Sequence, residues 1–225
     1  MADLVERRRT LQAARREALE AHVAALLAPF RGDERALDVG CGTGALAYAL
    51  APHVGQVVGV DASEEYVAAA REDAPPGCTF VVGDAAAVPF PYGDFDLVGC
   101  LRVLHHVPRP ELVVAELARV TRPAGRILLA DQLGDVDPMR SLELDRFERA
   151  RDPSHTRLLP DADIRGYLEA NDLTVTANEV VRERRDMEEY LDLVGLEGEE
   201  RERVARMAPA SYDVELGWYV AHKRT

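Results

Sequence analysis

The chain has 225 residues, 47% hydrophobic and 30% charged, with 27 Lys+Arg against 40 Asp+Glu and a net charge of −13. That length and balance fit one large domain with its own core and exclude wholesale disorder. The acidic excess argues against life on bulk nucleic acid, where phosphate neutralisation carries affinity, and favours a small-molecule partner. The three cysteines, Cys41, Cys78 and Cys100, are odd in number and lack a C-x-x-C, so neither a disulfide framework nor a zinc ribbon is expected. No histidine or carboxylate spacing points to a metal. The basic start lacks the apolar run of a secretory signal, and no stretch is long and apolar enough to span a membrane. A reduced, cytoplasmic protein is the expectation.

In chain order, residues 3–30 read as a helix, with Leu19, Val23, Leu26, Leu27 and Phe30 on one stripe. Its Arg7, Arg8, Arg9, Arg15 and Arg16 interleave with Glu6, Glu17 and Glu20 and read as a solvated face. From Arg35 short apolar runs alternate with helical patterns. Residues 36–40, 57–60, 79–82, 95–100 and 126–131 read as buried parallel strands, with helices near 43–51, 64–71 and 110–121 between them. Such alternation builds right-handed βαβ units. Residues 132–160 break the rhythm, with Met139, Leu142, Leu144 and Phe147 scattered among charges. They predict a helix near 138–150 and a loop, together a cap insertion over the ligand edge. A helix over 161–170 with Asp161 as N-cap follows, then extended segments 173–181 and 213–223 around a charged helical stretch near 186–208. The expectation is a single domain over 1–225, with residues 1–30 as an N-terminal helix.

The strongest local signal is Asp38 to Ala45, DVGCGTGA, where a strand runs into glycines and then a helix. Glycine there lets backbone approach a ligand at the carboxyl edge of the first strand. Two ligands compete for it. Gly40, Gly42 and Ala45 fit the dinucleotide spacing G-x-G-x-x-G/A, and Asp61 lies about 20 residues beyond Gly40, where a ribose-binding acid belongs. Gly40, Gly42 and Gly44 equally fit G-x-G-x-G with Asp38 just before it. A carboxylate there sits badly beside a pyrophosphate and well beside a cationic ammonium.

LDVGCGTG, VVGVDAS, GDAAAVPFPYGDFDLVGC, LHHV and ELARVTRPAGRILLAD occur in that order. Together they resemble the class I S-adenosylmethionine-dependent methyltransferases over about 35–131, and are most similar to the ubiquinone/menaquinone-biosynthesis group. The resemblance implies a Rossmann-like three-layer α/β sandwich, its seven-stranded sheet mostly parallel with an antiparallel C-terminal strand. It also implies S-adenosylmethionine as cofactor. Gly40, Gly42 and Gly44 would cradle it, Asp38 would face its amine with Thr43 nearby, and Asp61 would hold both ribose hydroxyls. Ala62 would pack on the adenine, Asp84 and the Ala85 backbone would read it, and Leu101 and Arg102 would line the cleft. Plainer roles stay open: Asp61 as a helix cap, Asp84 as a turn residue, Arg102 as a surface ion-pair partner. Pro123-Ala124-Gly125 departs from the family's usual Pro-Gly-Gly, which matters only if residue 124 needs a positive φ.

The acceptor side offers two candidates. His106, of the pair His105-His106, and His155, in the loop RDPSHTR, are placed to orient or deprotonate a small acceptor, with structural packing as the alternative for each. The loop, held by Asp152 and Ser154, would present His155 to the substrate. His22, His53 and His222 form no constellation. The expected function is methyl transfer to a small molecule on O, N or C. The alternatives are a non-catalytic cofactor-binding protein and an NAD-dependent oxidoreductase; nucleic-acid methylation is disfavoured by charge and by the absence of a base-holding Asn-Pro-Pro-Tyr/Phe motif. The acceptor and the oligomeric state, a homodimer among the options, are not readable.

Overall fold

The structure, a computed structural model, describes residues 2–208 and 212–224. The Val- and Leu-rich runs form strands β1 (Arg35–Val39), β2 (Gln56–Asp61), β3 (Cys78–Val82), β4 (Phe95–Leu101) and β5 (Thr121–Gln132), all parallel to one another. β6 (Leu173–Arg184) and β7 (Asp213–Lys223) complete a sheet of order β3-β2-β1-β4-β5-β7-β6, with β7 antiparallel to both neighbours. β1, β2 and β4 are covered on both faces, which is why they read as continuous apolar runs. The chain reverses its winding direction between β1 and β4, the crevice where open α/β sheets bind ligands. β6 runs in the same sense as β5, so its end at Glu183 and Arg184 joins this carboxyl edge.

Helices cover both faces. On one face α1 (Ala2–Leu27), α2 (Ala45–Leu50), α3 (Glu64–Glu72), α5 (Pro138–Arg151), α7 (Met187–Asp192) and α8 (Gly198–Ala205) bury Val23, Leu46, Val67, Phe147, Leu191 and Val204 against the sheet. On the other α4 (Pro110–Val120) and α6 (Asp161–Ala170) bury Val113, Leu117, Ile164 and Leu168. The expected three-layer architecture is present. Ser63 caps α3, accepting from the Tyr66 amide at 3.2 Å, and Pro110 opens α4.

Two expectations are corrected, and two features go beyond what was expected. Asp161 is the first residue of α6, not its cap; its carboxylate accepts from the Tyr219 hydroxyl at 2.6 Å and from Arg165 at 2.7 Å, tying α6 to β7. The arginines of α1 are not merely solvated. Arg9 pairs with Glu72 and Asp73 on α3, Arg7 donates to the Asp192 carbonyl, and Arg16 lies 4.7 Å from the Tyr48 ring centroid. The cap helix α5 docks through its charges. Met139 and Leu142 are exposed, whereas Glu148 is 1% exposed and takes hydrogen bonds from Tyr190, Tyr212 and Arg151. Finally, Ala124 has φ 61, so alanine does occupy a left-handed position where the turn into β5 asks for glycine.

Ala124 is exposed, so its methyl contributes little packing. Ala124→Gly therefore relieves a left-handed strain of about 1–2 kcal/mol against a smaller unfolded-state entropy cost. We expect the urea unfolding free energy to rise by about 0.5–1 kcal/mol; a fall would show that the methyl is held by favourable contacts.

Candidate functional site

Three consecutive amides bolt the end of β1 onto the end of β2. Gly40 and Cys41 donate to the Val60 carbonyl at 2.7 and 2.9 Å, and Gly42 donates to Asp61 Oδ2 at 2.8 Å. Gly40, Gly42 and Gly44 all carry positive φ, at 70°, 51° and 95°. A Cβ on Gly40 would strike Val103 at 2.3 Å, whereas one on Gly42 would meet nothing within 4 Å. The loop thus needs glycine for packing at one point and presents bare backbone to open space at the next.

Asp61 is well disposed for a diol. Oδ1 accepts from the Ser63 amide at 2.9 Å and Oδ2 from Gly42. One acceptor site remains on each oxygen, because a carboxylate offers about four. Asp38 is buried and accepts from the Ala47 amide at 3.0 Å; burial, more than the nearby charge of Asp61, pushes its carboxyl up to about 7. Asp84 is exposed and accepts from the Ala86 amide at 2.8 Å, holding a turn that leaves its second oxygen outward. Ala62 is exposed beside Asp61, while Ala85 and Leu101 are half-buried along the same edge. Glycine backbone, two ribose-type acceptor positions and buried or edge carboxylates form a donor set that fits a nucleoside carrying positive charge.

Helix α1 closes over this loop. Gln12 donates to the Thr43 carbonyl at 3.2 Å and accepts from the Thr43 hydroxyl, so that side chain is engaged by α1. Arg8 lies 5.2 Å from the Tyr66 ring centroid and 3.8 Å from Asp152 in the cap loop. Sequence reasoning missed Gln12. The available signal was Arg8, Gln12 and Arg16, spaced four apart on one helix face.

Beyond β4 a short 3-10 turn, Leu104–His106, gathers histidines. His105 Nδ1 pairs with buried Asp131, which also accepts from the Leu104 and Gln132 amides; despite its burial, His105 and these amides keep its carboxyl below the usual range. The His105 and His106 ring centroids lie 4.1 Å apart. Ser154 Oγ donates to Asp152 at 2.6 Å and stands 2.9 Å from His106 Nδ1. With its proton committed to Asp152, that hydroxyl accepts from Nδ1–H, which leaves His106 Nε2 as a free acceptor. Desolvation, reinforced by His105, brings His106 down to about 4, so the ring is neutral near pH 7. His155 is not presented to a substrate as expected. Its ring is buried, with Nε2 2.9 Å from Asp145 Oδ1, and the Asp152–Ser154 turn serves His106 instead. Arg102 has φ 57, and its guanidinium reaches Glu183 on β6, 3.5 Å away.

A recess of about 570 Å³ opens at the opposite edge of the sheet. Its Arg31, Arg122 and Arg126 are already paired with Asp96 and Glu34, so it shares none of this chemistry.

Comparison with known proteins agrees with this geometry. A family model described as Methyltransferase domain matches residues 37–129. The uncharacterized methyltransferase YcgJ of Bacillus subtilis is 35% identical over 147 residues, 64% of this chain and 58% of that protein. The 27-O-demethylrifamycin SV methyltransferase of Amycolatopsis mediterranei is 39% identical over 131 residues, 55% of this chain and 47% of that protein. The chain thus matches about half the length of these curated relatives. A crystal structure of a Bacillus halodurans C-125 protein superposes with a TM-score of 0.84 at 26% identity, covering 92% of this chain and 99% of that one. Over residues 37–129 the chain carries a methyltransferase domain, and in fold, motif order and relatives it is similar to the class I S-adenosylmethionine-dependent methyltransferases, which supports S-adenosylmethionine as its cofactor.

Proposed function

We propose that the protein is a cytoplasmic enzyme that methylates a small molecule with S-adenosylmethionine. The observation that carries this reading is Asp61, beside the glycine loop, whose two oxygens are each satisfied once by an amide and left with one further acceptor site each. When bound, S-adenosylmethionine supplies a methyl group made electrophilic by its sulfonium.

The residues divide the remaining work. Asp61 holds the ribose hydroxyls, Gly40, Gly42 and Gly44 admit the cofactor against bare backbone, and Thr43 fastens the loop to α1. Ala62 packs on the adenine face, while Asp84 and Ala85 read the adenine edge. Asp38 faces the ammonium from inside the loop, and Leu101 walls the cleft. His106 orients the acceptor and, where that acceptor is a hydroxyl or phenol, takes its proton on Nε2 while Ser154 and Asp152 hold the ring. α1 and the cap over 132–160 exclude water, which strengthens every charge–charge interaction within. The rifamycin-type relative acts on a small molecule, which supports the substrate class.

The direct test is incubation with methyl-labelled cofactor and a cell metabolite extract, followed by mass spectrometry. Methylated product is expected; cofactor binding without product would leave a non-catalytic binding protein, and stabilisation by NADH in place of S-adenosylhomocysteine would indicate an oxidoreductase. Asp61→Ala should weaken S-adenosylhomocysteine by about 2–4 kcal/mol in calorimetry, since two hydroxyls lose charged acceptors. Unchanged affinity would remove Asp61 from the site.

Asp38 yields a proton-linkage test. Near pH 7 the ligand-free carboxyl is partly protonated. An ammonium beside it favours the charged form, so binding at pH 7 should release a fraction of a proton, seen as a buffer-dependent calorimetric enthalpy. Asp38→Asn should abolish that release. The same residue makes ligand-free stability fall as pH rises from about 4 to about 7, because the folded chain retains a proton that the unfolded chain gives up at the ordinary value of 3.8. The Asn variant should lose that component of the slope.

For His106, a base already neutral at pH 7 predicts kcat/KM that stays level through neutrality and drops only as pH falls toward about 4. His106→Gln should lower turnover of a hydroxyl acceptor by about 10²–10⁴ with cofactor affinity preserved. A variant of undiminished turnover would reduce His106 to packing.

A further inference from the structure

We infer that the methyl acceptor is a small organic oxyanion, gripped by Arg102 and Arg185 on the β4–β6 half of the carboxyl edge. This rests on the methyl-transfer reading and adds its substrate class.

Three features converge. The first is charge. A single Glu183 carboxylate serves both arginines, lying 3.0 Å from Arg185 Nη1 and 3.5 Å from Arg102 Nη2. The nearby Arg151 has its own partner in Glu148, and Tyr190, beneath Arg151 and Arg185, is a neutral phenol whose hydroxyl is spent on Glu148. One positive charge is therefore left uncompensated, and Arg15 of α1 adds its field to the same point.

The second is an orphaned donor. The Arg185 side chain is only 9% exposed, and its Nε is buried with no hydrogen-bond partner. Buried guanidinium donors are rarely left unpaired, and a ligand oxygen is what such a group lacks.

The third is backbone and space. Arg102 adopts a left-handed conformation that non-glycine residues avoid, held by its amide donating to Ala130 at 2.7 Å. Its side chain keeps 45% of its surface accessible and so can meet a ligand, while the surrounding chain, then Arg185, disfavours its charge. The same segment leads within four residues to His106. The arginines and the base thus belong to the same carboxyl edge of the sheet. The guanidinium fork matches carboxylate and phosphate alike.

The test splits a metabolite extract by anion exchange into retained and unretained pools, treats part of the retained pool with phosphatase, and supplies each with methyl-labelled cofactor and the intact protein. Labelled product is expected from the retained pool; loss after phosphatase identifies a phosphate ester, and persistence a carboxylic acid. Arg185→Gln and, separately, Arg102→Gln should raise KM for that acceptor at least ten-fold, with kcat changed less and Arg185→Lys partly restoring it. In the Arg185 variants calorimetric affinity for S-adenosylhomocysteine should stay within two-fold. Product from the unretained pool alone, or unchanged KM in both Gln variants, overturns the inference while leaving methyl transfer intact. Cofactor binding with no product from either pool overturns both, and absence of S-adenosylhomocysteine binding overturns the cofactor reading itself.

Discussion

The clamp of β1 onto β2 governs the ligand edge. Gly40, Cys41 and Gly42 spend three successive amides on Val60 and Asp61, which only a chain turning through left-handed φ can do. Because both strands are buried on both faces, their pairing of Val39 with Val60 resists a slip, which would turn each side chain to the opposite face. Asp61 is thereby fixed in height and direction, Asp38 is sealed beneath the loop, and Thr43 is raised to where α1 can take it through Gln12. Catalytic geometry tolerates little displacement, so a scaffold that determines three site positions through one set of backbone contacts is economical.

The cap is held by different physics. α5 has no continuous apolar stripe, and it docks by sinking Glu148 among Tyr190, Tyr212, Gln132 and Arg151, with Asp145 meeting His155 and the Leu158 amide nearby. Burying these charges costs desolvation that their partners offset only with good geometry. In return the register is specified: an apolar helix can rotate or slide over an apolar surface, whereas a carboxylate with four partners cannot. Docking of this kind suits an element that must bring Ser154 to His106.

This contrast explains what the sequence disclosed. Strands such as Val57–Val60 announce themselves because burial on both faces leaves a composition signal, and the glycines at 40, 42 and 44 because a φ requirement does. Helix α6 was legible through Ile164 and Leu168. The span of α5 was legible too, but its docking was not, since a buried Glu148 and a solvated Glu143 look identical in sequence, and only the folded arrangement of two tyrosines separated by more than twenty residues tells them apart. The arginines of α1 were misread for the same reason, their acids lying on α3 and in the cap loop. His155 was assigned outward because it sits in a polar loop, yet Asp145, one helix earlier, draws it in. Long-range pairing of polar groups leaves no periodic trace.

The carboxyl edge is electrically divided at the point where the winding reverses. Asp38, Asp61 and Asp84 belong to β1, β2 and the turn after β3, whereas Arg102 and Arg185 stand at the ends of β4 and β6. Under the proposed reading a cationic cofactor and an anionic acceptor each find the complementary half, and exchanging them sets like charges together, a penalty that enforces orientation. The chain's net −13 repels such an acceptor at long range, but solvent ions screen that repulsion within about 10 Å, while the buried Arg185 is screened far less. Recognition of the proposed anion is therefore a short-range event, decided at the arginines themselves. Bringing opposite charges together favours their mutual neutralisation most where water is excluded, so under that proposal closure of α1 and the cap would be part of the chemistry rather than a cover for it.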